Sequence, residues 1–223
     1  MSLTASSPNA SSPITLLFVW MAALFVTALL VANTIGGILV PLPLPWGQAV
    51  VTAGIFIFPI TFVLTDLLNE FFGEAGAKRV TWLGFAMGLV TFVGYKVAVL
   101  VPALRQSPLP QGAFALVEAQ YSDMILASMA AYLVGQFLDI ALFGWFKRTT
   151  GAKLIWLRAT GSTVVSQLFD SVLVVGLTFY NDLLWPELLQ VAWGNYQVKL
   201  LVAVLITPLI YLGHWLIKRS RKA

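Results

Sequence analysis

Six long apolar runs, separated by short segments, leave this chain few ways to fold. They occupy residues 14–35, 48–68, 80–101, 123–146, 161–180 and 197–217. Each run is long enough to cross about 30 Å of hydrocarbon as a helix, and a backbone in lipid must satisfy its own hydrogen bonds. Only 10% of the residues are charged, against about 25% in a typical soluble domain. We therefore predict an all-α fold, a polytopic membrane helix bundle of six transmembrane helices.

The basic residues indicate how this bundle is oriented. Ten of the 13 Lys and Arg residues follow the second, fourth and sixth runs. By the positive-inside rule that side is cytoplasmic, so both termini are expected there. The rule also explains the net charge of +4 without a nucleic-acid partner. We expect a disordered tail over residues 1–13, a single transmembrane domain over 14–217 and a basic cytoplasmic tail over 218–223.

The composition also excludes several kinds of chemistry. The chain has no cysteine and a single histidine, His214, so disulfides, thiol nucleophiles and multi-histidine metal sites are excluded. No P-loop sequence is present, so the chain does not hydrolyse ATP by that motif. We predict a protein that is not an enzyme and that uses neither a cofactor nor a metal.

A few charged residues nevertheless lie inside the runs. Lys96, Asp139 and Asp170 fall within spans, and Asp66 lies near the end of one. A charge at the centre of the membrane costs about 2.5–3.5 kcal/mol on insertion scales, and such residues usually mark a functional site. We therefore favour a polar cavity over structural hydrogen bonding between helices. Lys199, near the outer end of the last run, is expected to extend to the surface.

A repeated pattern identifies the centre of this cavity. Gln136 and Asp139 form a Q-x-x-D sequence in the fourth run, and Gln167 and Asp170 form another in the fifth. Residues three apart share one helix face, so two facing helices would present two carboxylates and two amides. These groups suit a flat heterocycle with adjacent N–H groups, such as a guanine-like edge. A metal ion or a proton relay is the competing use of the two aspartates.

Two further features concern the remaining charges and the first loop. Lys96 is expected to pair with Asp123 or Asp170 or to extend outward. Residues 41–45 (PLPLP) are expected to form a stiff extended loop. Small-residue patterns such as Ala28-x-x-x-Ala32 permit close helix contact, which leaves a homodimer open.

The segment from the second run into the third carries the most specific pattern. Residues 58–73 read FPITFVLTDLLNEFFG, followed by a basic pair and WLGF. Asp66 and Glu70 are four residues apart, so they share a face near the cytoplasmic end of a helix that Gly73 terminates. Acidic groups at a helix C-terminus oppose the macrodipole. Their presence indicates a partner such as Arg79, Arg158 or a ligand.

This segment resembles the queuosine precursor transporter family, also described as a vitamin-uptake-like transporter family. That family reads F-P-x-x-[FY]-x-x-T-D-[IVL]-x-x-E-x-[YF]-G before a basic pair and W-L-G-F. Residues 162–171 (STVVSQLFDS) resemble its second signature, S-T-x-x-S-Q-x-x-D-[ST]. The resemblance extends over about residues 14–217, with six spans in the same order.

The resemblance implies import of 7-deazaguanine precursors across the bacterial inner membrane for queuosine synthesis in tRNA. The substrate would be chiefly 7-cyano-7-deazaguanine, with the aminomethyl form as a second candidate. The Q-x-x-D repeat supports four of the implied site residues independently. The predicted substrate-binding residues are Asn33, Asp66, Glu70, Gln136, Asp139, Arg158, Ser166, Gln167 and Asp170.

Other functions remain as alternatives. The main one is the substrate-binding subunit of an energy-coupling-factor transporter for a small heterocycle or vitamin, which is also a small six-span protein. An intramembrane aspartyl protease is disfavoured, because the Gly-x-Gly-Asp sequence of those enzymes is absent around Asp139 and Asp170. A structural protein without a ligand is the last alternative.

Overall fold

The computed structural model describes residues 13–102, 111–150 and 155–220. The disordered tail expected over residues 1–13 falls almost entirely outside these ranges, as does the end of the basic tail. Within these ranges the chain forms five α-helices, one 3₁₀ turn and a two-stranded sheet. In chain order they are α1 (Pro13–Ile35), β1 (Leu39–Leu44), β2 (Gly47–Thr52), the 3₁₀ turn (Ala53–Phe56), α2 (Phe58–Leu100), α3 (Gln111–Thr150), α4 (Ile155–Phe179) and α5 (Trp185–Ser220).

Helix α2 is broken at Gly73, and its first arm runs parallel to α3. Gly73 has φ 69° and ψ −179°, a backbone conformation that is essentially restricted to glycine. Before this break, Thr65 Oγ1 lies 3.2 Å from Gln136 Oε1. One turn later, Asn69 Nδ2 donates to the carbonyl of Ile140 at 3.1 Å. Residue numbers therefore increase together along the first arm and α3.

The second arm of α2 runs in the opposite direction. Tyr132 donates from its hydroxyl to the carbonyl of Thr81 at 3.2 Å. Further along, Lys96 Nζ pairs with Glu118 Oε1 at 2.6 Å. Residue numbers rise along the second arm while they fall along α3, so the second arm is antiparallel to α3. Because the first arm is parallel to α3, the two arms of α2 are antiparallel to each other. The chain thus reverses at Gly73, as the sequence predicted when it ended one helix there and started the next.

Several helices have the length and composition of membrane spans. In the part of the chain that the structure describes, three stretches meet both criteria: Thr15–Ile35, Phe58–Leu100 and Met129–Thr150. A shorter apolar helix covers Val164–Phe179. The prediction of a mainly helical fold is therefore confirmed, and these stretches fit a membrane protein by length and composition.

The segment before α2 corrects the expectation of an all-α fold. β1 and β2 form an antiparallel hairpin that pairs Leu39 with Thr52 and Leu44 with Gly47. The second apolar run, expected to be helical from residue 48, thus begins as a strand, and its helix starts only at Phe58. Prolines at alternate positions of β1 lack N–H groups on the same edge of the strand, which leaves the other edge free to pair.

The hairpin packs closely on α5. A Cβ atom added to Gly194 would lie 2.5 Å from the carbonyl oxygen of Val50, so only glycine allows the strand to approach here. On the next residue, Asn195 Oδ1 accepts hydrogen bonds from Thr52 N at 3.1 Å and from Thr52 Oγ1 at 3.2 Å. These contacts fix the strand that leads into the first arm of α2.

The small-residue patterns pack inside the chain rather than on its surface. Ala28 is 4% exposed and Ala32 is fully buried, and Gly54 of the 3₁₀ turn approaches the carbonyl oxygen of Ala32. A Cβ added to Gly84 would lie 2.8 Å from Leu29 Cδ2. These glycines and alanines therefore bring α1, the 3₁₀ turn and α2 together. The Ala28-x-x-x-Ala32 pattern is thus used for packing within the chain, and the predicted homodimer stays a prediction.

Candidate functional site

A narrow cavity lies between α1, the first arm of α2, α3 and α4. About 30 Å³ of it is open to the centres of water molecules, which is room for about two waters. The nonpolar part of its lining consists of four apolar side chains and one glycine, namely Leu29, Phe58, Phe62, Val174 and Gly135. The polar lining residues are Asn33, Thr61, Tyr132, Gln136, Gln167 and Asp170.

Four of the predicted site residues thus meet at one cavity. Gln136 and Gln167 belong to the two Q-x-x-D sequences, and Asp170 and Asn33 accompany them. Helices α3 and α4 can approach closely here because α3 carries Gly135. A Cβ at that position would lie 3.0 Å from Asp170 Oδ1. The aspartate carboxylate therefore lies directly against the backbone of α3.

Lys199 is the part of this site that the sequence interpretation missed. Its Nζ pairs with Asp170 Oδ2 and lies 5.4 Å from the centre of the Phe58 ring. Only 5% of the lysine side chain is exposed, so the expectation that it extends to the surface is wrong. A buried carboxylate on the neighbouring helix provides a closer partner for the ammonium group than the membrane surface does. The signal available in the sequence is a lysine within an apolar run, in a chain that also has aspartates within its runs.

Asp139 lies below the cavity, within the contact between α3 and α4. Ser166 Oγ donates to Asp139 Oδ1 at 3.0 Å, and Ser162 hydrogen-bonds to the same carboxylate. Both serines are fully buried. Two predicted site residues, Asp139 and Ser166, are thus brought together, but neither belongs to the cavity lining. Their hydrogen bonds join the two helices one level closer to the Gly73 end of the bundle.

Two buried acceptors in this region lack a hydrogen-bond donor among the described residues. They are Gln167 Oε1, in the cavity lining, and Asp66 Oδ1. Asp66 is 3% exposed, and its charged neighbours are Asp139 and Glu70. A buried acceptor without a donor costs about 1–3 kcal/mol. These two atoms are therefore places where a ligand or water with N–H or O–H groups would be stabilised.

Glu70 lies near the Gly73 end of the first arm, away from the cavity lining. Lys147 Nζ is 3.3 Å from the Glu70 carboxylate and donates to the Glu70 carbonyl at 2.8 Å. A lysine in this position satisfies the end of the helix and offsets its macrodipole. Lys147 was not among the partners suggested by the sequence. Arg158, which was suggested, belongs to α4, but its side chain lies outside the described residues.

Lys96 has a partner far from the cavity. It pairs with Glu118 on α3 and lies 5.7 Å from the centre of the Phe92 ring. The alternative that paired Lys96 with Asp170 is wrong, because Lys199 occupies that carboxylate. The side chain of Asp123, the other suggested partner, lies outside the described residues.

Comparison with known proteins identifies the family. The sequence pattern of the family described as "Putative vitamin uptake transporter" matches residues 52–213, which is well over half of the chain. The chain belongs to this family. The match includes both arms of α2, the two Q-x-x-D sequences and Lys199.

Three proteins that are similar to this chain have names more specific than that of the family. A protein of Bacillus subtilis (strain 168), "Probable queuosine precursor transporter", is 30% identical over 174 residues, 77% of this chain and 75% of the relative. The "Queuosine precursor transporter" of Escherichia coli (strain K12) is 27% identical over 184 residues, 75% of each chain. A protein of Haemophilus influenzae, also named "Probable queuosine precursor transporter", is 26% identical over 160 residues, 70% of this chain and 64% of the relative. No solved structure matches this chain.

Proposed function

We propose that this protein is a multi-pass transporter of the bacterial inner membrane that imports queuosine precursors through the cavity described above. The family membership and the names of the three relatives support the transported class. The two antiparallel arms of α2, together with α1, α3, α4 and α5, provide six segments that cross the membrane. The basic residues after the second, fourth and sixth segments support an orientation with both termini in the cytoplasm.

The observation that carries this proposal is Gln167 Oε1 in the cavity lining, which has no hydrogen-bond donor among the residues that the structure describes. A guanine-like edge presents a 2-amino group and a ring N–H side by side. Gln167 Oε1 and the Asp170 carboxylate accept such donors, and binding would remove the cost of about 1–3 kcal/mol for the unpaired acceptor. The amide of Gln136, held in contact with Thr65, supplies a further polar group to the same edge.

The charge around the cavity favours 7-cyano-7-deazaguanine over the aminomethyl form. The amine of the aminomethyl form is protonated at neutral pH, whereas the nitrile is neutral. Lys199 lies beside Asp170 and Phe58, both of which line the cavity. Asp170 is the acidic residue of the cavity lining and is already paired with Lys199. A ligand ammonium group would therefore lose its hydration without gaining a carboxylate of its own, which costs free energy, so the neutral precursor is the better ligand.

Transport also requires the cavity to widen. Its open volume of about 30 Å³ holds about two waters, far less than a bicyclic heterocycle of about a dozen non-hydrogen atoms needs. The described conformation is therefore a closed one, in which α3 and α4 touch at Gly135 and Asp170. Entry of the substrate separates these helices.

Uptake in a bacterial host that can neither make nor import queuosine precursors tests the proposal. The wild-type chain, expressed alone, is expected to restore queuosine in tRNA when 7-cyano-7-deazaguanine is supplied, with adenine as a poor competitor. Gln167→Ala and Asp170→Asn are each expected to reduce uptake at least tenfold at unchanged protein abundance. Gln190→Ala, an exposed glutamine of α5, is the matched control and keeps wild-type uptake.

Two results would contradict the proposal. Wild-type uptake by both site variants would exclude the cavity as the substrate site. A wild-type chain that is inert alone but active with added transmembrane and ATPase partners would support the energy-coupling-factor alternative.

A further inference from the structure

We infer that Lys199 is a positioning residue of the substrate site. It holds the Asp170 carboxylate in place so that the second oxygen of Asp170 accepts a hydrogen bond from the amino group of the ligand. This inference rests on the proposed function and deepens it. Lys199 comes from α5, whereas the cavity is lined by α1, α2, α3 and α4. The lysine therefore stands behind the cavity wall rather than in it.

The first argument is the burial of the pair. The side chains of Lys199 and Asp170 are 5% and 15% exposed, and the lysine is not near a helix end that could reach water. A carboxylate in such surroundings is stable in one geometry only when a cation compensates it. Among the described residues Lys199 is the cation that contacts Asp170, so the orientation of this carboxylate depends on it.

The second argument is the division of the two carboxylate oxygens. Oδ2 of Asp170 is occupied by Lys199 Nζ. Oδ1 faces α3, where a Cβ added to Gly135 would lie 3.0 Å away. Gln136 is the next residue of α3 and lines the cavity. The lysine thus occupies one oxygen and leaves the other on the side of α3, in a cavity whose lining also includes Gln136 and Gln167.

The third argument is the contact that fixes the lysine itself. Its ammonium group lies 5.4 Å from the centre of the Phe58 ring, a cation–π distance. Phe58 is also part of the cavity lining. The lysine is therefore held between a carboxylate and an aromatic ring that both contact the ligand space, which defines one position for the ammonium group.

Binding measurements on the purified full-length protein test the inference. The probes are 7-cyano-7-deazaguanine and its analogue without the 2-amino group. In Lys199→Met we expect the dissociation constant for the first probe to rise at least tenfold and the preference over the analogue to fall towards one. Lys199→Arg keeps a cation that pairs with a carboxylate, and we expect it to remain within about threefold of the wild type.

The matched control is Lys96→Met. Lys96 is also an ion-paired lysine beside a phenylalanine ring, but its partners are Glu118 and Phe92, away from the cavity. This variant is expected to bind both probes as the wild type does. Thermal unfolding of each variant separates a loss of binding from a loss of folded protein.

A charge-free variant, Asp170→Asn with Lys199→Met, covers the case in which the single variant does not fold. We expect it to unfold near the wild-type temperature and to bind with little preference for the 2-amino group. Wild-type affinity and preference in either Lys199→Met or the double variant would overturn the inference while leaving the proposed function intact. A wild-type protein that binds neither probe would overturn both.

Discussion

Replacing Gly194 by alanine tests how the β-hairpin is held on α5. The added Cβ would lie 2.5 Å from the carbonyl oxygen of Val50, and a real Cβ contact is essentially never below 3.0 Å. The strand must therefore retreat by about 0.5 Å, because both atoms belong to backbone that cannot rotate away. Such a movement lengthens the bonds from Thr52 to Asn195, now 3.1 and 3.2 Å, beyond hydrogen-bond range.

The magnitude of this change can be estimated from these contacts. Overpacking costs about 1–3 kcal/mol, and two hydrogen bonds contribute about 1 kcal/mol each. The higher helix propensity of alanine over glycine raises the free energy of unfolding by about 1 kcal/mol. We therefore expect Gly194→Ala to lower the free energy of unfolding by about 2–4 kcal/mol, which for a chain of this size is a fall of roughly 5–15 °C in the midpoint.

Thermal unfolding in detergent is the assay, with Gly176→Ala as the control. Gly176 is also a helical glycine, but an added Cβ there meets nothing within 4 Å. The control should be unchanged or stabilised by up to about 1 kcal/mol. If Gly194→Ala unfolds at the same temperature as the control or above it, the hairpin does not depend on this close approach, and the reasoning is refuted.

Two further changes probe the reversal in α2 and the contact between α3 and α4. Gly73→Ala forces an L side chain into φ 69° and is expected to destabilise the protein by about 1–3 kcal/mol. Its control is Gly94→Ala in the second arm, where an added Cβ meets open space and should not destabilise the protein. Equal unfolding midpoints for the two variants would contradict this prediction. Ser166→Ala removes the 3.0 Å hydrogen bond to Asp139 and should cost about 1.5–3 kcal/mol. Its control is Ser171→Ala, because the hydroxyl of Ser171 has no hydrogen-bond partner in the described part of the chain and its removal should be neutral or stabilising; a smaller loss for Ser166→Ala than for this control would exclude the proposed contact.

The apolar runs predicted the helices well but not the hairpin. A short apolar run has no period that separates a buried strand from a helix, so the sequence predicts that residues 48–52 belong to the second span. The alternating prolines of β1 predict a stiff loop, although the same alternation leaves one edge of the strand able to pair. Only the contact with α5 at Gly194 and Asn195 shows why a strand is stable there.

The Q-x-x-D repeat predicted which helices meet, but not which of its four side chains line the cavity and which lie in the contact between α3 and α4. Positions three apart differ by about 60° around a helix and 4.5 Å along it. Because α3 and α4 are antiparallel, Asp170 lies level with Gly135 and Gln136, while Asp139 lies level with Ser166. The two aspartates therefore occupy different levels, one at the cavity and one in the helix contact.

The partners of the lysines depended on tertiary contacts that no local pattern contains. A lysine near the end of a span ordinarily extends to the surface, and that default gave the wrong position for Lys199. The direction of its side chain is decided by Asp170, which is 29 residues away in the chain. Lys147 and Glu70, 77 residues apart, likewise meet only because the first arm of α2 runs parallel to α3.

The placement of the ion pairs bears on how the closed cavity opens. Lys147 and Arg148 join the end of α3 to Glu70 and Glu74 of α2, and Lys199 joins α5 to α4. Each of these pairs lies within one side of the cavity, with α2 and α3 on one side and α4 and α5 on the other. Across the cavity, the contact at Asp170 is only with the backbone of α3. We propose that α3 and α4 separate at the level of Asp170, where these ion pairs keep their partners and the large penalty for breaking an ion pair in a low-dielectric interior is avoided, while the hydrogen bond from Ser166 to Asp139 holds the two helices together one level closer to Gly73.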